Sequence, residues 1–199
     1  DLSGIVSADE FVRFVVQSPA QTAGETTTDI PESISPYADI SAVAKMLKLK
    51  IPVSVSREFS GDFDVFAFGG NTFDADECTK AKKTSASCSG PRLGIALKVS
   101  DPVKIKSALR IWEKTMVSDL KSLILSTIGG SATANFQTGT YEGKTIRYKN
   151  MPINTITVEY ALSDDILIIT TSKSAILKAI DSLPAQSIQN SAPETEPAQ

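Results

Sequence analysis

Carboxylates, lysines and hydroxyls are what this chain of 199 residues has for acid-base or nucleophilic chemistry, because it contains no histidine and only two cysteines. Without imidazole there is no Ser-His-Asp or Cys-His relay and no histidine-zinc site. Two cysteines cannot by themselves complete a cysteine-protease or structural zinc site. The acids therefore carry what chemistry there is. "DADE", Asp74 to Glu77, gathers three of them and offers oxygen ligands of the kind calcium takes, but the EF-hand spacing and its glycine are missing. A solvated acidic turn explains it as well. Asp164 and Asp165 sit in "SDD" between two strand-like runs, where aspartate is favoured for bonding its own backbone. Glu142 in "YEGK" and Glu159 on a strand read equally well as plain surface charges. To hydrolyse a glycan, two of these four would have to lie about 5 to 9 Å apart in a deep pocket. No catalytic, cofactor-binding or metal-binding residue is assigned on this basis, and no cofactor is expected.

The cysteines stand in "CTKAKKTSASC", with nine residues between Cys78 and Cys88. That spacing is neither the C-x-x-C of redox sites nor a metal knuckle. The flanks "DFDVFAF" and "RLGIALKV" read as β-strands, so the polar loop joins a hairpin whose arms bring the two sulfurs into bridging range. A disulfide between Cys78 and Cys88 is the expectation, against free thiols in a reducing compartment. Closing so short a loop contributes roughly 3 kcal/mol, less any native strain. A staple of this kind implies an oxidising, extracytoplasmic location.

The elements that must position such residues follow from periodicity. "EFVRFVV" near the start is rich in strand formers, although Ser7 to Glu10 resembles a helix capping box; a strand is expected. Residues 18–36, rich in Ser, Thr, Pro and Gly, read as a long surface loop. Ile40, Val43, Ala44 and Leu47 recur at helical spacing and stop before Pro52. After the hairpin, Asp101 caps a helix with Pro102 at its first position and an apolar stripe of Ala108, Leu109, Trp112 and Met116. Trp112 and Met116 are expected in the core. A further helix is predicted from Ser118 to Gly129-Gly130. Four strand-like runs then form a meander, "ANFQTGTY", "KTIRYKNM", "NTITVEYAL" and "DILIITT", followed by a helix capped at Ser172 and stopped by Pro184.

The fold class is therefore α+β, with antiparallel hairpins and a meander whose apolar face is covered by amphipathic helices on one side. "LGIALKVSDPVKIKSALRIW" and "ILIITTSKSAILKAIDSL" share a strand, a cap and a helix, so the chain reads as two strand-strand-helix units. Old duplication and chance likeness of β-turn-helix segments both account for it. Residues 1–184 are expected to form a single domain and 185–199, rich in Gln, Ser, Pro and Glu, a disordered tail or linker.

A hydrophobic content of 41% and a charged content of 22% suit one globular core, and a net charge of −3 supplies no basic field for nucleic acid. "KMLKLK" and the loop lysines Lys80, Lys82 and Lys83 are too few for a basic patch. No apolar run reaches the ~18 residues that cross a bilayer, and the first residues are not a signal peptide, so any export signal or anchor is expected outside this chain.

The order "GDFDVFAFGG", "RLGIALKVSDPVKIKSALRIWEKTMVSDLKSLIL" and "YEGKTIRYKNMPINTITVEYALSDDILIITTSKSAILKAIDSL" resembles a domain of uncharacterised, membrane-anchored surface proteins of candidate-phylum bacteria, over about residues 45 to 183. The resemblance brings no catalytic motif. It implies an extracytoplasmic domain tethered through a membrane helix that this chain does not contain. The expected function is thus a non-enzymatic exported surface domain, a binding or spacer module for an unknown protein or glycan of the cell envelope. The alternative is a carboxylate-based hydrolase acting on envelope polymer, with Glu142, Glu159, Asp164 or Asp165 as acid and base.

Overall fold

A computed structural model describes residues 11–14, 40–69, 91–124, 135–152 and 156–182. The loop 18–36, the DADE turn, Cys78, Cys88 and the tail 185–199 lie outside the described residues. The α+β class holds: seven strands form one sheet in which every described neighbouring pair is antiparallel.

The hairpin that begins the sheet is β2 (Phe59–Phe68) and β3 (Arg92–Val99). The short strand β1 (Phe11–Phe14) adds to its outer edge, with Phe11 opposite Phe68, so the strand reading of "EFVRFVV" is correct. The meander β4 (Gln137–Tyr141), β5 (Lys144–Asn150), β6 (Thr157–Ser163) and β7 (Ile166–Thr170) supplies the rest. The sheet order is β1-β2-β3-β7-β6-β5-β4, which places the last strand of the meander against β3 at the centre. The two strand-strand-helix units therefore share one sheet.

Each unit ends in a capped helix. The backbone N–H groups of Val103 and Lys104 donate to Asp101 Oδ1 at 3.0 Å and start α3 (Pro102–Trp112), which follows the short helices α1 (Ile40–Met46) and α2 (Val53–Ser56). The N–H of Ala175 donates to Ser172 Oγ at 3.2 Å and starts α5 (Lys173–Ser182). These caps satisfy donors that a helix start leaves without partners.

The helices do not share a face, contrary to the one-sided covering expected from the sequence. Ile105, Leu109 and Trp112 of α3 join Leu93, Ile95, Leu97, Leu167 and Ile169 in one core. Ile176, Ala179 and Ile180 of α5 join Phe66, Ala96, Ala161 and Ile168 in a second core. Because side chains alternate along a strand, these two sets lie on opposite faces of the sheet. The register between the units is the reason. In each unit the helix covers the face to which the residue two before its cap belongs, Val99 for α3 and Thr170 for α5. Gly94 pairs with Thr170 and Ala96 with Ile168, so Val99 and Thr170 fall on opposite faces. A register one residue different would put both helices on the same side.

Gly94 has a second role. It stands opposite Phe66, whose ring lies across β3 on the α5 side, and a Cβ there would overlap the ring and press on the Ile169 carbonyl. The absence of a side chain is what lets the aromatic close that core.

A long helix after Ser118 is not found among the described residues. The chain makes α4 (Met116–Asp119) and one 3₁₀ turn (Lys121–Leu123), and reaches extended backbone at Ile124. Met116, Leu120, Leu123 and Ile124 are all buried against the α3-side core. The tighter turn brings consecutive apolar residues inward, and this tertiary gain overrides helix propensity. Trp112 is buried as expected, at 2% exposure, and its indole N–H donates to Asp119 Oδ2 at 2.9 Å, tying α3 to α4.

Candidate functional site

The site begins with two tight turns. Tyr141-Glu142-Gly143-Lys144 joins β4 to β5, with positive φ at both central residues (47° and 72°), the twist that two-residue hairpins favour. Ser163-Asp164-Asp165-Ile166 joins β6 to β7 with Asp164 at φ 54°, a conformation that aspartate tolerates better than most residues. Both turns reach the end of the sheet beside α3, whose polar side presents Lys106, Ser107 and Arg110. Together they enclose an open cleft of about 680 Å³, lined also by Leu109, Lys144, Thr145, Arg147, Tyr160, Leu162 and Ser163.

One network fixes the cleft floor. Arg147, on β5, donates from Nε and Nη2 to the two carboxylate oxygens of Glu113 at 2.8 Å each, and from Nη1 to Thr138 Oγ1 at 2.6 Å. The Tyr160 hydroxyl donates to Glu113 Oε1 at 2.6 Å, and Arg110 approaches the same oxygen at 3.5 Å. Tyr160 is held by the tilted ring of Phe136 at 6.0 Å. Burial pushes the Glu113 carboxyl up, but the hydrogen bonds from Arg147 and Tyr160 and the charges of Arg147 and Arg110 outweigh it and hold the group below its ordinary value. Burial and the bond to Glu113 push the Tyr160 phenol well above its ordinary value. The bonds to Glu113 keep Arg147 firmly charged. A bidentate guanidinium-carboxylate pair is among the stiffest polar contacts available to a protein, so the Arg147 guanidinium is held in one orientation.

The four acids weighed from the sequence separate. Glu142 and Asp164 line the cleft. Asp165 does not; its carbonyl accepts the Val99 N–H, which ties the β6-β7 turn to the end of β3. Glu159 lies on the opposite face of the sheet, 3% exposed, in the row that holds Tyr148 on β5 and Thr170 on β7. Thr157 donates to its Oε1 at 2.8 Å. Burial raises the Glu159 carboxyl to about 7, against smaller opposing effects of the Thr157 hydroxyl and the Lys173 charge at the start of α5. Glu159, raised toward neutrality, is therefore cut off from the cleft by the sheet itself.

Trp112 and Met116 belong to the core, and the KMLKLK lysines do not line the cleft. Among the described residues no group of three or more acids or cysteines is placed to hold a metal ion.

Sequence reasoning missed Glu113, Arg147 and Tyr160. Arg147 neighbours Ile146, whose side chain enters the α5-side core, so alternation assigns Arg147 to the other face. With one covered face that position reads as solvent; with α3 covering it, it becomes the cleft floor. Comparison of the chain with family models, with curated proteins and with solved structures finds no match.

Proposed function

We propose that this chain is a non-enzymatic binding module exported from the cell, and that its ligand, a protein or glycan of the envelope, sits in the cleft between α3 and the two hairpin turns. The observation that carries the reading is the Glu113-Arg147-Tyr160 network: it spends the most buried charges of the cleft on holding one another rigid, which suits recognition. Its Glu113 carboxylate accepts three hydrogen bonds and is held below its ordinary value, a poor proton donor or acceptor near neutrality. The cleft volume lies within the range of small-ligand sites. Extracytoplasmic placement rests on the spacing of Cys78 and Cys88 in the sequence and on the resemblance to anchored surface domains. Among the described residues no helix is long and apolar enough to cross a membrane.

One observation favours the hydrolase reading: Glu142 and Asp164 share the cleft. Incubating the protein with isolated envelope polymer separates the two. A binding module is retained on the polymer and releases no reducing ends, and Glu142→Gln and Asp164→Asn leave retention intact. Release of reducing ends that either substitution abolishes would replace the binding reading with the hydrolase.

A further inference from the structure

We propose that the outer edge of β4 is a self-association site, at which two copies of this chain pair antiparallel about Gly139 and join their sheets into one. β4 (Gln137–Tyr141) ends the strand order, and among the described residues nothing pairs with its outer side. Which of its backbone groups face outward follows from the turn. A two-residue hairpin loop closes on a pair of residues that exchange both hydrogen bonds, so Tyr141 and Lys144 form such a pair, as do Gly139 with Ile146 and Gln137 with Tyr148. Thr138 and Thr140 fall between them and turn their N–H and C=O groups away from β5. Both residues are exposed. Sheet edges are commonly protected by a charge, a proline or a bulge. QTGTY has neither charge nor proline, and its register against β5 runs without a shift. The opposite edge, β1, carries Arg13 in FVRF.

The strand is complementary to itself, which is what a two-fold contact requires. Outward residues must stand opposite outward residues. The two-fold alignment that uses the whole strand sets Thr138 against Thr140, Gly139 against Gly139 and Gln137 against Tyr141 of the second copy. Each Thr138–Thr140 pair then exchanges two backbone hydrogen bonds. On the α3 side, Thr138 Oγ1 accepts from Arg147 at 2.6 Å, so its own proton is available to the Thr140 hydroxyl across the seam. On the other side, Gly139 meets its copy at the close spacing of a non-bonded pair, and no side chain stands between the two Tyr141–Gln137 contacts. No like charges are brought opposite each other, because β4 holds none. An extended segment of another protein could use the same backbone groups, but these side-chain matches along the whole strand favour a second copy. A seam about 17 Å long falls well short of the ~1,200 Å² that a stable interface buries, so the pairing is weak in dilute solution and grows where copies are held close together.

Sedimentation equilibrium of the full chain from about 20 μM to about 2 mM tests this, with the average mass expected to rise from monomer toward dimer and no further. Thr140→Pro removes an N–H that takes no part in the pairing with β5, and should weaken association about tenfold or more while circular dichroism and Trp112 fluorescence keep their parent values. Thr140→Lys keeps that N–H, places a charge on the edge, and should weaken association likewise. The alignment has its own test. A Cβ at position 139 meets Tyr148 Cε1 at 3.6 Å, an ordinary contact, so Gly139→Cys is accommodated. A non-bonded antiparallel pair spaces its Cα atoms about 4.5 Å apart, within disulfide reach. Mild oxidation of Gly139→Cys should yield a peptide joining residue 139 of one copy to residue 139 of the other, whereas Thr140→Cys should not link to itself. An average mass fixed at the monomer value would overturn the proposal. So would a dimer that both Thr140 variants leave unchanged, or a mass that grows past the dimer, since each places the contact elsewhere. Self-linking of Thr140→Cys as readily as Gly139→Cys would overturn the alignment about Gly139.

Discussion

Replacing Glu159 by glutamine should stabilise this protein at neutral and alkaline pH and leave it unchanged in acid. The carboxyl is 3% exposed on the α5 face and is raised from 4.5 to about 7, burial outweighing the Thr157 hydroxyl and the Lys173 charge. A raised acid binds its proton more tightly in the folded chain than in the unfolded one. Glu159 is therefore harmless below its unfolded value and increasingly destabilising as pH climbs from about 4.5 to about 7. At about 1.4 kcal/mol for each pH unit, the ionised group costs about 3 kcal/mol above pH 7. Glutamine has the same shape, carries no charge and can still accept from Thr157 through its carbonyl. Its amide, like the protonated carboxyl it replaces, must find an acceptor, so the two proteins are matched in acid and the net gain at pH 8 is expected to be about 3 kcal/mol. Urea unfolding of both proteins from pH 4 to pH 8 measures it: the curves coincide at pH 4 and separate through pH 5 to 7. A difference that is constant with pH, or a variant less stable at pH 8 than at pH 4 relative to the parent, would show that Glu159 is not ionising in a dry site.

Glu113 lies on the other face and has the opposite sign. Its depressed carboxyl contributes stability that is present above its unfolded value and lost as pH falls through the folded one, and Glu113→Ala, which strands a largely buried Arg147, should cost about 3 kcal/mol by denaturant unfolding at pH 7. Trp112→Ala removes the centre of the α3 core and its bond to Asp119, and should cost about 3 to 5 kcal/mol; an unchanged melting temperature would contradict the packing. Gly94→Ala forces the Phe66 ring out of its place over β3 and should cost about 1 to 3 kcal/mol, with the loss much reduced in the Phe66→Leu background. Mass spectrometry of the non-reduced protein from its native compartment should yield a peptide joining Cys78 to Cys88; alkylatable thiols instead would remove the support for an extracytoplasmic location.

The amino-acid sequence determined the local parts. Asp101 before Pro102 and Ser172 before its apolar stripe start α3 and α5, since a cap needs only one side chain and the next two or three backbone N–H groups. The "EG" and "SDD" turns likewise pair their strands within a few residues. What lies between distant segments was decided only in the tertiary structure. β3 and β7 are some seventy residues apart in sequence, yet their register, Gly94 against Thr170, decides that α3 and α5 cover opposite faces. The unbroken apolar run Ile166 to Ile169 in β7 carried a trace of this, because a strand buried on both sides loses its alternation. No comparable trace marks the cleft. Glu113, Arg147 and Tyr160 are ordinary residues in three separate elements, and their spacing carries no period. A hydrogen-bond network assembled across the sheet depends on which face each strand turns to which helix, and only the completed pairing of the strands fixes that.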